Sequence, residues 1–325
     1  MNATVLSKVQ TLHGTELLRA LHKFLPLGRK YHPLFSLFNG RRGLGGIPFA
    51  GAELVHPLKW SKAAAGLLLD GENCVPEVCL LPKLIEPIDE GILVDVGANI
   101  GIYPLLFRRH SSRPIVAYEP QPLLFHLLEA CVRHNALKSV TCRNVACGNS
   151  IGEVPFSIGL NGEVATGSAI GKATRLSEVD FERAIHETYT GQKSVVVPLT
   201  TLDADLGSDR VSFLKVDCEG FEFQILSGAV HLLEKQRPTL FIEVHPLGLE
   251  KFGSSTKALI ELLAPLYNLE GWDFNERRFD SKLQRSLLKH RPTQGRQFDS
   301  MNTFLAAASR EPRPTQLYLI GRPRL

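Results

Sequence analysis

Apolar residues in this chain fall in short runs, each closed by glycine, proline or an acid. The clearest is Ile92, Leu93, Val94 and Val96, interrupted by Asp95 and followed by Gly97, Asn99 and Gly101. This pattern predicts a strand buried on both faces, then a tight turn opening a helix from about Gly101 to His110. A strand over Pro114–Tyr118, ending at Glu119, and a helix over Leu123–Asn135 with Leu124, Leu127, Leu128 and Cys131 on one face continue the alternation. Val140–Val145 reads as a third strand, and Ile151–Ile158 as an antiparallel excursion outside the core. Val195–Leu199 returns as a strand, after which Thr200 or Thr201 caps a short helix through Asp205.

The second informative run, Val211–Leu226, predicts a buried strand ending in Asp217, with Glu219 and Gly220 opening a helix. Thr239–Val244 follows as another buried strand, closed by His245 and Pro246. Leu266–Phe274 and Met301–Ala306 are weaker strand candidates around a basic, polar segment, Arg277–Arg296. Leu317–Ile320 is an apolar run able to add a last strand. Toward the N-terminus, Leu17, Leu18, Leu21, Phe24 and Leu25 have helical spacing among basic residues, for packing on the domain or on a membrane surface. Gly40–Gly46 reads as a basic turn, and Val78, Leu81, Leu84 and Ile85 as a short helix containing Pro82. Strands alternating with helices give the fold class as α/β, with a mostly parallel, doubly wound sheet and an N-terminal helical extension.

Composition narrows this picture only modestly. With 325 residues, 44% hydrophobic, there is material for one large α/β domain with additions, or for two modest ones. A formal charge of +4 is ordinary for solubility and gives no indication of nucleic acid. The six cysteines contain no Cys-x-x-Cys pair, and no metal-ligand spacing occurs. Buried reduced thiols and a cytoplasmic location are therefore expected. No apolar run is long enough for a membrane span, and no secretory signal is read at the N-terminus.

Candidate chemistry gathers at the predicted strand ends. A dinucleotide fingerprint would require glycine two and five residues after Gly97, where Asn99 and Ile102 stand, so a pyrophosphate in this turn is disfavoured. An acid just before the first glycine suits a ligand with a positive amino group instead. Glu119, eighteen positions past Gly101, is either a ribose-binding carboxylate or an acid at a helix N-terminus. Glu219 and Glu222 have a simple explanation in offsetting a helix dipole, whereas Asp217 precedes that turn. Glu243 interrupts a run that should be buried, and a lone buried acid needs a partner.

In order, VDVGANIG at 94–101, YEP at 118–120, NVACG at 144–148, TTLD at 200–203, LKVDCEGFEFQIL at 214–226, FIEVHP at 241–246 and MNTFLA at 301–306 carry a resemblance. Across about Gly91–Ala306 the chain resembles the FkbM family of S-adenosylmethionine-dependent methyltransferases. The resemblance implies a Rossmann-like class I methyltransferase fold binding S-adenosyl-L-methionine over the strand ends. It implies that Asp95, Gly97, Asn99 and Gly101 hold the methionine end, Glu119 the ribose, and Asn144, Val145 and Ala146 the adenine side. Asp217 and Glu219 correspond to an acidic turn near the transferred methyl, and Asp217 and His245 are the candidates for a base. His245 is equally explained as a structural residue at a strand end. NVACGN departs from the commoner Ala-Leu-Gly-Asp pattern, and the segment 159–192 is a long insertion. The implied organisation is an extension over 1–90, a methyltransferase domain over 91–306 with a flap at 159–192, and a tail over 307–325. The implied activity is O-methylation of a hydroxyl on a sugar or secondary metabolite, so a small-molecule or glycan acceptor. A non-catalytic binding module and, less favoured, a nicotinamide oxidoreductase are the rival readings.

Overall fold

A computed structural model of the chain describes residues 9–11, 44–57, 72, 75–87, 90–157, 194–274, 295–310 and 316–324. The first elements are β1 (Val9–Thr11), β2 (Leu44–Phe49), β3 (Ala52–Pro57), a 3-10 turn over Pro76–Leu80 and α1 (Leu81–Ile85). Next come β4 (Ile92–Val96), α2 (Ile102–His110), β5 (Ile115–Tyr118), α3 (Pro122–His134), β6 (Val140–Arg143), β7 (Ala146–Cys147), β8 (Gly152–Ser157) and β9 (Ser194–Thr200). The middle of the chain forms α4 (Leu202–Leu206), β10 (Val211–Val216), α5 (Glu222–Ser227), α6 (Val230–Lys235), β11 (Thr239–Val244), α7 (Pro246–Lys251) and α8 (Thr256–Leu263). The last elements are β12 (Tyr267–Asp273), β13 (Arg296–Gln297), α9 (Met301–Ala308) and β14 (Leu317–Pro323).

Among the described residues an eight-stranded sheet runs in the order β13-β12-β14-β11-β10-β4-β5-β6. The strands from β11 to β6 are parallel, so their C-terminal ends share one edge. The period-2 pleat divides their side chains between two cores. Leu93, Phe213 and Phe241 join one with Phe107 and Leu105 of α2, while Val94, Leu214 and Ile242 join the other with Leu226, Leu232 and Leu259. Near the strand ends the first of these faces turns polar. There Asp95 pairs in register with Lys215, and Glu243 with Tyr318.

Several local expectations meet a different outcome. Met301–Ala306 is helix: Ser300 and Thr303 form a capping box, and Phe304, Ala307 and Ala308 bury one helical face. Within 1–90, expected to be helical, the described residues also hold the sheet β1-β2-β3. Its hairpin turns at Ala50 and Gly51, φ 53° and 78°, the pair of left-handed residues a two-residue turn requires. Gly45 and Gly46 lie in β2 rather than in a turn. The third strand ends at Arg143, before Asn144. Cys79 is exposed, whereas Cys131 and Cys147 are buried, and no disulfide forms among the described cysteines. The Leu17–Leu25 helix, the 159–192 flap and most of Arg277–Arg296 fall outside the described residues.

Other expectations are met directly. Thr201 caps α4 by accepting from Ala204 N at 3.1 Å. β8 pairs antiparallel with β9 in a separate sheet with β7. The run at 317–320 becomes β14, antiparallel between β11 and β12. No helix among the described residues is long and apolar enough to cross a membrane.

Candidate active site

The parallel strand ends border a cavity of about 530 Å³. On its β4–β5 side the backbone reverses at Gly97, whose φ of 84° brings it against β10. A Cβ there would stand 2.0 Å from the Asp217 carbonyl oxygen. Gly97 N and Ala98 N both donate to Tyr118 O, at 3.0 and 2.9 Å. Asn99, also left-handed at φ 51°, donates its N–H to Glu119 Oε2 at 2.9 Å, and Gln121 N donates to Oε1 at 2.8 Å. The Glu119 carboxylate is thus held at the cavity edge, only 5% exposed, where burial pushes its pKa up to about 7 despite those two donors. Asn144 donates to the carbonyls of Glu119 and Pro120, at 2.8 and 3.0 Å, and so fixes this turn from behind.

The β10–β11 side centres on a lysine. Lys215, 1% exposed, places Nζ 3.0 Å from Asp95 Oδ1 and 3.3 Å from Asp217 Oδ2, donates to Gly97 O at 3.0 Å, and lies 4.4 Å from the Tyr103 ring centroid. Burial alone would lower its pKa, but Asp95 and Asp217 reverse that and hold the ammonium charged. Burial pushes the Asp95 carboxyl up, and the ammonium beside it offsets only part of that rise. The Glu222 carboxylate, fully buried at the start of α5, accepts from Gly220 N at 2.9 Å and from His245 Nδ1 at 2.8 Å. His245 Nε2 faces Glu219 Oε2 at 3.5 Å and Glu243 Oε1 at 3.7 Å. Burial would lower the imidazole's pKa, but Glu222, Glu243 and Glu219 outweigh it and push it up to about 10.

Glu243, the acid expected to need a partner, accepts from the Tyr318 hydroxyl at 2.8 Å. Burial and the nearby Asp217 charge push its carboxyl well up. The Tyr103 hydroxyl donates to Glu77 Oε1 at 2.9 Å.

Of the residues singled out in the sequence, Gly97, Asn99, Glu119, Val145, Ala146, Asp217 and Glu219 border the cavity. Asp95, Gly101, Asn144 and His245 are not among its lining residues. Asp95 reaches the site only through Lys215, and Asn144 only through the backbone it anchors. Gly101 is the N-cap of α2 and packs toward Leu128 and Cys131. Sequence reasoning missed Lys215, Glu77, Tyr103 and Tyr318. The one available signal was that Lys215, like Glu243, interrupts a run otherwise suited to burial, and a buried charge requires a counterpart.

The family model for the methyltransferase FkbM domain matches residues 95–278, more than half of the chain. A methyltransferase of Sordaria araneosa, sdnD, is 29% identical over 160 residues, which is 42% of this chain. Methyltransferase 1 of Beauveria bassiana is 26% identical over 148 residues, or 43% of this chain. The chain spans 59% of the length of each of these relatives. The crystal structure of a methyltransferase FkbM from Methylobacillus flagellatus overlaps 73% of this chain and 54% of its own, at 16% identity and a TM-score of 0.34. With the Asp95–Gly101 turn and the motifs of β10 and β11 inside the matched range, this chain belongs to the methyltransferase FkbM domain family.

Proposed function

We propose that the protein is an S-adenosylmethionine-dependent methyltransferase acting on a hydroxyl of a small molecule or glycan, in the class of sugars and secondary metabolites. The observation that carries this reading is the meeting of the Gly97 turn, the Glu119 carboxylate and Asp217 around one cavity at the parallel strand ends. The residues fit the cofactor on three counts. A cavity of about 530 Å³ is in the range for a ligand of this size. Glu119, at the end of the second parallel strand, offers a carboxylate for two ribose hydroxyls. The acids Asp217, Glu219 and Glu243 at the same cavity suit a cationic compound.

When bound, S-adenosylmethionine supplies a methyl group already activated on a sulfonium. The chain's own contribution is then to bind, align and receive a proton. Alignment of this kind is worth about 7–11 kcal/mol and a positioned base typically about 10²–10⁴-fold. Asp217 borders the cavity and is the residue assigned to hold the acceptor hydroxyl. His245 faces carboxylates with both ring nitrogens and is away from the cavity lining, which supports a positioning role over that of a base. Asp95, Gly97 and Lys215 support the turn at the methionine end, and Val145 and Ala146 line the adenine side in this reading.

Calorimetry with S-adenosylmethionine should give saturable binding, and incubation of the full chain with labelled cofactor and a fractionated extract should label a hydroxyl-bearing small molecule. Asp217→Asn should lose turnover far more than cofactor affinity. Absence of saturable binding would end the reading, and unchanged turnover would remove Asp217 from it.

A further inference from the structure

Three side chains from the ends of two adjacent strands each bring one ligand-type atom into a single cluster. The available atoms of Asp217, Glu243 and His245 all lie within 4.8 Å of one another. Each residue is also held by a neighbour. His245 Nδ1 is bonded to the buried Glu222 carboxylate at 2.8 Å, and its Nε2, facing Glu243 Oε1 at 3.7 Å, would release its proton as a cation binds there. The Tyr318 hydroxyl donates to Glu243 Oε2, and Lys215 Nζ stands 3.3 Å from Asp217 Oδ2. A histidine whose second nitrogen is held by a carboxylate, beside acids that are themselves anchored, is the supporting shell of metal-ligating groups.

An independent observation comes from Glu77, which neighbours Tyr318 and Glu243. Glu77 is 5% exposed and borders the same cavity as Asp217 and Glu243, yet its Oε2 has no hydrogen-bond partner among the described residues. A buried carboxylate oxygen without a donor is costly, and a cation in front of it offsets that cost.

We propose that Asp217, Glu243 and His245 form a binding site for a divalent cation at the acceptor side of the cavity. Ligand atoms at about 2.1 Å from one octahedral ion stand about 3–4 Å apart, so the 4.8 Å span closes with a small inward movement. Two carboxylates with one imidazole match Mn²⁺ or Mg²⁺ better than the thiolate-preferring metals. Such an ion would act as a Lewis acid toward an acceptor oxygen. For that purpose the inference rests on the hydroxyl-acceptor reading, but the binding itself does not. No linear spacing announces the site, because Glu243 and His245 lie two residues apart and Asp217 comes from the neighbouring strand.

The test is titration of the full chain, without S-adenosylmethionine, with Mn²⁺, followed by electron paramagnetic resonance. One saturable site per chain, displaced by excess Mg²⁺, is expected. Spin-echo modulation from an imidazole nitrogen should appear in the unmutated protein, so this readout does not depend on any variant folding. Asp217→Asn and Glu243→Gln should each weaken Mn²⁺ at least tenfold, and Glu222→Gln by about 10–100-fold. Glu119→Gln should leave Mn²⁺ binding unchanged while weakening the cofactor. Absence of saturable Mn²⁺ binding at millimolar concentration, absence of nitrogen modulation, or affinity indifferent to Asp217→Asn and Glu243→Gln in folded protein would each overturn the site. Calorimetry with S-adenosylmethionine in chelator reports separately on the methyltransferase reading, so either proposal can fail alone.

Discussion

Glu119 shows how much one residue's environment decides. Its position after a short strand followed by proline was legible, but two roles fitted that position equally well. In the structure the carboxylate is buried at the cavity edge and held by Asn99 N and by Gln121 N at the start of α3. Because its pKa is raised to about 7, the folded protein holds a proton there that the unfolded chain releases above about 4.5. Stability from this group therefore falls as pH rises from about 4.5 to 7. A ligand that needs the carboxylate shows the opposite trend. S-adenosylmethionine affinity should weaken about tenfold per pH unit below 7, and Glu119→Gln should flatten that profile at low affinity. Calorimetry from pH 5.5 to 8 checks it, and a profile unchanged by the substitution would detach Glu119 from the cofactor. Lys215 carries the contrary lesson. In sequence it is one charge in an apolar run, and its partners Asp95 and Gly97 become visible only when β4 lies beside β10.

At the scale of elements, periodicity located the strands and helices from β4 to β11 but missed the β2–β3 hairpin and misjudged one later run. MNTFLA alternates weakly enough to pass for a strand, and the capping box of Ser300 and Thr303 decides for helix. The Gly97 turn was better marked, because a backbone reversal against another strand leaves little choice of residue. Gly97 and Gly51 have similar positive φ, 84° and 78°, yet a Cβ at Gly97 would strike the Asp217 carbonyl while one at Gly51 would meet nothing within 4 Å. Gly51→Ala should therefore cost only conformational strain, on the order of 1 kcal/mol. Gly97→Ala should cost clearly more, and should also reduce cofactor affinity by parting β4 from β10. Urea denaturation of the two variants, with calorimetry on each, makes the comparison; equal losses would mean that the close approach is unimportant.

For the whole molecule, the parallel half of the sheet builds the cavity edge and the antiparallel strands complete it from the far side. β14 is no appendage: it lies between β11 and β12, and its Tyr318 reaches Glu243. Ending the chain after Arg310 would strip β14 from between two partners, remove the buried Leu317, Leu319 and Ile320, and expose the residues they cover. Cooperative unfolding should be lost, as seen by circular dichroism and thermal melting. A truncated chain that still melted cooperatively and bound S-adenosylmethionine would show that the parallel strands suffice.

The sequence alone determined what is local: the strand runs, the glycine turns, the acids at strand ends and the ordered motifs that identify the family. Those features are set by neighbours a few residues away, through pleat, helical period and backbone torsion. Only the tertiary structure decided which of those acids meet one another and what stands opposite them. Lys215 and Gly97 are 118 residues apart and Tyr318 and Glu243 are 75 apart, so their contacts follow from strand order and not from spacing. Burial does the rest, because a charge removed from water is tolerable only beside a partner that the sheet brings to it.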